Sequence, residues 1–138
     1  MNDGSDGCVF SVTPLLTNDI RSTYGVIPMI LVKTTLTVLA EKQMELLQTL
    51  LSLIEPVKKE NGCSSYGIFC DIRDKNSFCI IEEWTNQKDF NLHLKSFRFG
   101  VLLGTKPLLL KPPIIQIHKA NDMQGMTFVE AVRTKGKK

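Results

Sequence analysis

The sequence has 138 residues, of which 43% are hydrophobic and 22% charged, and its net charge is +3. These values indicate one globular domain with a buried core and a mild surface charge. No segment has the roughly 20 continuous apolar residues of a membrane span, and the acidic start MNDGSDG lacks the features of a signal peptide, so we expect a cytoplasmic protein that does not enter a membrane.

The first half of the chain contains an arm, a strand and a helix. Residues 1–28 show no clear periodicity and contain helix and strand breakers. MILVKTTLTV, from Met29, alternates inward and outward positions and is rich in β-branched residues, which predicts a strand. EKQMELLQTLLSLIEPVKKENG predicts a helix that stops at Gly62, with an apolar stripe of Leu47, Leu50, Leu51 and Ile54.

The second half predicts a hairpin, a helix and a closing strand. CSSYGIFCDI and SFCIIEEW are strands joined by a short polar loop. Thr85 or Asn86 can cap the following helix, whose predicted inward stripe is Phe90, His93, Leu94 and Phe97. KPPIIQIHKA predicts the last core strand, and MTFVEAV suggests a short extra strand.

The resulting order is β-α-β-β-α-β, which is the α+β, ferredoxin-like arrangement. Both helices cover one face of the sheet, while the other face also carries apolar residues, so we expect a homodimer formed through that open face. The predicted organisation is an arm over 1–28, a domain over 29–119, and a C-terminal extension with a basic tail over 120–138.

Several kinds of chemistry lack support in the residue pattern. There is no Walker loop, no GxGxxG and no serine in a nucleophile elbow. His93 and His118 are 25 residues apart and form no metal-ligand pair, so no metal site is expected. The strands lack the paired-aromatic pattern of RNA-recognition modules, and nucleic acid is not an expected partner.

One inward-facing set of residues remains as a candidate site. A histidine on an apolar helical face can exchange protons near neutral pH, and an aromatic wall can hold a planar ligand. By its spacing alone, however, a histidine on an apolar face is more often a structural residue of the core. The set consists of Tyr66, Glu82, Trp84, His93 and Arg98.

A series of short motifs in this order resembles the antibiotic biosynthesis monooxygenase (ABM) domain, a dimeric α/β-barrel family. The resemblance spans Met29 to Lys119. The motifs are Gly62-Cys63, Tyr66, Glu82-Glu83-Trp84, His93-Leu94-Lys95-Ser96 and Phe99.

The resemblance implies a homodimer with a pocket between each sheet and its helices. It implies a monooxygenase that uses no cofactor and reacts a small aromatic, phenolic or quinol-type substrate with dioxygen. His93 would be the base, and the substrate-binding positions would be Tyr66, Glu82, Trp84, Phe97, Arg98 and Thr34. The alternative is an isomerase, or a small-molecule-binding or interaction protein, on the same fold.

Two departures from the family pattern affect these expectations. Where many relatives have a second histidine, this chain has Arg98, which cannot act as a base and would be an anion clamp or a surface residue. At the positions used by the heme-degrading branch the chain has Thr34, His93 and Leu103. Leucine cannot ligate iron, so heme is not expected.

Overall fold

The structure is a computed structural model that describes residues 29–135. The predicted arm over 1–28 therefore lies outside the described residues. Four strands and four helices are present in this range. They are β1 (Met29–Thr37), α1 (Gln43–Lys58), β2 (Cys63–Asp71), β3 (Asp74–Trp84), α2 (Gln87–Leu94), α3 (Phe97–Leu103), β4 (Ile114–Ala120) and α4 (Met126–Lys135), with short 3-10 turns at Ala40–Lys42 and Lys106–Leu108.

The strands form one antiparallel sheet in the order β2-β3-β1-β4. Because side chains alternate along a strand, the register defines rows of residues that share a face. One such row lies on the helix-covered face. It consists of Tyr66, Glu82, Val32 and Ile117, each of which pairs with the next one across the four neighbouring strands. The prediction of a ferredoxin-like α+β fold is confirmed.

The core lies between the sheet and α1, but the predicted stripe of α1 is wrong in detail. The buried positions of α1 are Leu46, Leu50, Leu53 and Val57. Leu51, which the periodicity placed inside, is 55% exposed. Leucines occur all around this helix, so the pattern has two adjacent stripes of similar apolarity, and only packing against the sheet selects one of them.

The second predicted helix is divided in two. α2 ends at Leu94, and the side chain of Ser96 caps α3 by accepting a hydrogen bond from the Phe99 amide. Because of this break, the apolar stripe of α2 does not continue to Phe97. The prediction that Phe97 lies on the inward face is wrong, since this residue is 85% exposed. Phe90 and His93, which precede the break, are buried as predicted.

The C-terminal region differs from the expected extra strand. The segment MTFVEAV belongs to α4, a helix that buries none of its residues. A strand requires a neighbouring strand for its backbone hydrogen bonds, whereas a helix satisfies them within itself. The predicted closing strand is confirmed as β4, which forms one edge of the sheet.

Among residues 29–135, no helix combines the length and the apolar character needed to cross a membrane.

Candidate functional site

The C-terminal end of β3 supplies two buried residues of the site. Glu82 and Trp84 are two residues apart in a strand, so both side chains point to the helix-covered face. They are 1% and 0% exposed, respectively. The indole Nε1 of Trp84 donates a hydrogen bond of 2.8 Å to Oε1 of Glu82. This bond provides a partner for two polar groups that would otherwise be costly to bury.

α2 brings His93 against this pair. The helix starts immediately after β3, and Asn86 caps it by accepting a hydrogen bond of 2.8 Å from the Asp89 amide. The His93 ring lies 4.6 Å from the Trp84 ring, centroid to centroid, and Phe99 of α3 approaches its edge at 5.6 Å. His93 is therefore enclosed by aromatic rings, and its side chain is 3% exposed.

Both ring nitrogens of His93 face carboxylates. Nδ1 is 2.9 Å from Oε1 of Glu60, and Nε2 is 3.7 Å from Oε1 of Glu82. The other oxygen of Glu60 accepts a hydrogen bond of 3.3 Å from the Arg98 guanidinium. Charged and titratable groups thus form one connected cluster from the partly exposed Arg98 to the buried Glu82.

Burial favours the neutral forms of the innermost groups of this cluster. It raises the pKa of the Glu82 carboxyl, although the Trp84 hydrogen bond and His93 act in the opposite direction. Tyr66 lies opposite Glu82 on β2, and burial followed by the Glu82 charge raises the pKa of its phenol. The same two causes raise the pKa of the Cys63 thiol to about 12.

Thr34 adds a hydroxyl without a partner on the same face of the sheet. Thr34 pairs with Ile80 of β3 and Ile115 of β4, and this row of residues is the one next to the row of Glu82 on the same face. Thr34 is 1% exposed, and its Oγ1 has no hydrogen-bond partner among residues 29–135. A buried hydroxyl in this state is available to a ligand.

The structure brings together four of the residues predicted from the sequence: Tyr66, Glu82, Trp84 and His93. Phe97 is exposed and lies outside this group. The remaining two occupy its margins: Thr34 lies one row away on the same face, and Arg98 contacts Glu60. No group of three metal-binding side chains is placed to hold a metal ion within residues 29–135.

Sequence reasoning missed Glu60 altogether. It is 33 residues from His93 in sequence, in the turn between α1 and β2, where it reads as one more charge in the run KKE. One signal was available: Glu60 stands two residues before Gly62, whose positive φ of 84° marks a sharp turn that directs neighbouring side chains.

A comparison with protein families identifies the chain. The model of the family described as antibiotic biosynthesis monooxygenase matches residues 29–101, which include β1, the hairpin and the His93 helix. The chain belongs to this family. The resemblance inferred from the short motifs is thereby confirmed.

Three known proteins resemble the chain over most of its domain. A protein of Synechocystis sp., named "Uncharacterized protein sll1783", is 31% identical over 115 residues, covering 83% of this chain and 76% of its own. "Putative monooxygenase YcnE" of Bacillus subtilis is 28% identical over 85 residues, covering 61% of this chain and 90% of its own. The crystal structure of a conserved protein from Methanosarcina mazei Go1 has a TM-score of 0.63 and 28% identity, covering 67% of this chain and 92% of its own.

Proposed function

We propose that this ABM-family protein is a cofactor-independent monooxygenase that reacts a small aromatic, phenolic or quinol-type substrate with dioxygen. The observation that carries the proposal is the setting of His93. Its Nδ1 is held by the Glu60 carboxylate, while its Nε2 lies 3.7 Å from Oε1 of Glu82, in a buried region beside the Trp84 ring. A general base needs this combination of a fixed orientation and an available nitrogen.

The proposed reaction draws its electrons from the substrate. His93 Nε2 removes a proton from the substrate, and the resulting anion reacts with dioxygen directly. For an anthrone-type methylene the overall change is CH₂ + O₂ → C=O + H₂O, so one oxygen atom enters the product and the other leaves as water. This balance requires no external reductant, only a base and a site that excludes bulk water.

Three further residues have roles in this proposal. Trp84 and Tyr66 form the wall against which a planar ring can lie, since both are buried on the same face of the sheet. The free hydroxyl of Thr34 can donate a hydrogen bond to an oxygen of the substrate. The functional unit is the domain over 29–119, to which the arm and the C-terminal extension are additions.

We also propose that the active form is a cytoplasmic homodimer. The sheet face opposite the helices carries the partly buried apolar side chains Leu31 and Ile81, which no element of the described chain covers. A second copy applied to this face would remove them from water. The cytoplasmic location is supported by Cys63, Cys70 and Cys79, which are free thiols, as expected for a reducing compartment.

Oxygen uptake by the full-length protein tests the proposed function. We expect hydroquinones or anthrones to be consumed with uptake above a no-protein control, and with one atom of ¹⁸O₂ in the product. His93→Ala should lower kcat by about 100-fold or more, the usual contribution of a general base, while the protein stays folded. His118→Gln, which alters the other histidine, is the matched control and should retain activity.

Two results would contradict the proposal. The first is uptake no greater than the control for every substrate tried. The second is a His93→Ala protein that has lost its folded circular dichroism spectrum, since that would assign His93 a structural role.

An isomerase is the second candidate, because the same buried base supports proton transfer without oxygen. The Glu82 carboxyl, 3.7 Å from His93 Nε2, favours it. Burial raises the pKa of Glu82 and so favours its protonated form, in which the pair supplies both a proton acceptor and a proton donor. Turnover that continues at an undiminished rate under anaerobic conditions would identify this activity.

A further inference from the structure

Glu60 is held in place by its own turn and by two residues from distant elements. Its amide donates to the Val57 carbonyl at 3.0 Å, and its carbonyl accepts from the Cys63 amide at 3.2 Å. Its carboxylate contacts Nδ1 of His93 at 2.9 Å and the Arg98 guanidinium at 3.3 Å. The side chain is 15% exposed, so this ion-pair geometry is mostly shielded from water.

These contacts determine which nitrogen of His93 carries the hydrogen. A neutral imidazole has one N–H donor and one bare acceptor nitrogen, whereas an ionised carboxylate can only accept. For a neutral imidazole beside an ionised Glu60, the 2.9 Å contact at Nδ1 requires the hydrogen on Nδ1, which leaves Nε2 bare. Arg98 donates to the second oxygen of Glu60 and thereby fixes the plane of the carboxylate.

We propose that Glu60 is the positioning residue of this site: it locks His93 in the tautomer with hydrogen on Nδ1, so that Nε2 is the atom that receives the substrate proton. This inference rests on the proposed function for the identity of the reaction, but the tautomer itself does not depend on it. A carboxylate that orients a histidine through Nδ1 and stabilises the imidazolium formed during turnover is a recurring arrangement in hydrolases.

The other groups around His93 are compatible with a bare Nε2. Glu82 on β3 is the group that faces this nitrogen, and two bare acceptors 3.7 Å apart would repel each other. Burial raises the pKa of Glu82 and so favours its protonated form, which relieves this repulsion. On β2, burial likewise raises the pKa of Tyr66 and Cys63, which favours their neutral forms.

A purely structural role for the Glu60–His93 contact makes a different prediction. If the contact served only to attach α2 to the turn before β2, any hydrogen bond of the same length would be sufficient. A positioning role requires the hydrogen to be on one particular nitrogen. The tautomer of His93 therefore separates the two roles.

Glu60→Gln is the decisive substitution, because Arg98 orients the new amide. The guanidinium has only donors, so it attracts the amide oxygen. The amide NH₂ then points at Nδ1, which must accept, and the hydrogen of His93 moves to Nε2. We expect Glu60→Asp, which keeps the carboxylate, to retain the original tautomer.

The first measurement is made on the ligand-free full-length protein. Long-range ¹H–¹⁵N spectra, recorded at a pH above the ordinary imidazole range, distinguish a protonated ring nitrogen from a bare one. His118 is the only other histidine and is the internal reference, since it lies on β4 away from Glu60. We expect Nδ1–H in the wild type and in Glu60→Asp, Nε2–H in Glu60→Gln, and no change at His118.

The second measurement is turnover with the hydroquinone or anthrone that the wild type consumes. Glu60→Gln should lower kcat by about 100-fold or more, the scale of a general base that cannot accept a proton, with little change in KM. Glu60→Asp should recover at least part of kcat.

The two measurements distinguish failure of the positioning role from failure of the proposed function. Wild-type His93 with its hydrogen on Nε2, or an unchanged tautomer in Glu60→Gln, overturns the positioning role, and the wild-type spectrum does so even if the variant does not fold. A changed tautomer with full activity also overturns it. A changed tautomer in a protein that consumes no oxygen with any substrate leaves the positioning role standing and refutes the proposed function.

Discussion

At the scale of single residues, the unusual feature is a carboxyl buried beneath the helices near the C-terminal end of β3. Glu82 is as buried as the leucines of the core, and one neutral donor, the Trp84 indole, contacts its Oε1. Ionising such a group is unfavourable, so burial raises its pKa above the ordinary value of 4.5. This raised pKa makes the stability of the fold dependent on pH.

The sign of the dependence follows from proton binding. Above the ordinary carboxyl pKa the unfolded chain releases the Glu82 proton while the folded protein keeps it, so the stabilisation from this group is present at low pH and is lost as pH rises through the folded pKa. Glu82→Gln, which preserves an acceptor for Trp84, should abolish this loss. The difference in Tm between Glu82→Gln and the wild type should increase as pH rises above 4.5.

Thermal unfolding followed by circular dichroism across a series of pH values measures this difference. A matched control is Glu83→Gln, which alters the neighbouring carboxyl on the opposite, less buried face of β3. A Tm difference that stays constant or decreases with pH for Glu82→Gln would contradict the prediction.

The residue scale is also where sequence reasoning was least complete. His93, Trp84 and Glu82 were found because they lie within twelve residues of one another on two adjacent elements. Glu60 was missed because its contact with His93 connects positions 33 residues apart. Periodicity indicates which face of an element a residue occupies. It does not indicate which charged residue from a distant part of the sequence will contact that face.

At the scale of elements, the turn that carries Glu60 into β2 depends on Gly62. Its φ of 84° is a conformation that other residues adopt only with strain. An added Cβ would also meet the Asp89 side chain at 2.5 Å, within the first turn of α2. Gly62 therefore sets how closely α2, and with it His93, approaches the Glu60 turn.

We expect Gly62→Ala to destabilise the protein by about 2 kcal/mol or more, from the left-handed backbone and the close contact together. Gly100→Ala is the matched control. Gly100 lies inside α3 with open space around its Cβ position, so alanine there should stabilise the protein by about 0.5–1 kcal/mol. Urea unfolding measures both, and equal effects at the two positions would refute this account of the turn.

Whether a segment is a helix or a strand was predictable where a single hydrophobic pattern dominated it. The exact ends and breaks of the elements were not. The first three strands alternate clearly and the closing strand is rich in isoleucine, so the four strands followed from the sequence. The first helix ends at Lys58, four residues before Gly62, so its end did not. The break at Ser96 was missed because the apolar spacing continues through it to Phe97, while the side chain of Ser96 caps a new helix. The helix thus ends and a new one starts at a capping hydrogen bond, even though the apolar residues continue at the helical spacing of 3.6 residues.

At the scale of the whole molecule, the helices within residues 29–135 leave one face of the sheet uncovered. Ile81 lies near the centre of this face, between Gly67 of β2 and Lys33 of β1 in the register. Its side chain is only partly buried in the described chain. If two copies pack through this face, Ile81 lies in the interface of the proposed dimer.

Ile81→Glu should prevent formation of the proposed dimer without unfolding the monomer. A carboxylate at this position is opposite Lys33 in the same chain, and a cross-strand pair of opposite charges is tolerated in a sheet. In a dimer, the same carboxylate would be buried between two sheets, where an ion that loses its water costs several kcal/mol. We therefore expect a folded monomer.

Sedimentation velocity at several concentrations, together with circular dichroism, measures this outcome. Ile72→Glu is the matched control, because Ile72 is 97% exposed in the turn between β2 and β3, away from the centre of the open face. That variant should sediment as the wild type does. A wild type that is monomeric at every concentration, or an Ile81→Glu protein as dimeric as the wild type, would show that this face does not bind a second copy, and the apolar row would then require a different partner.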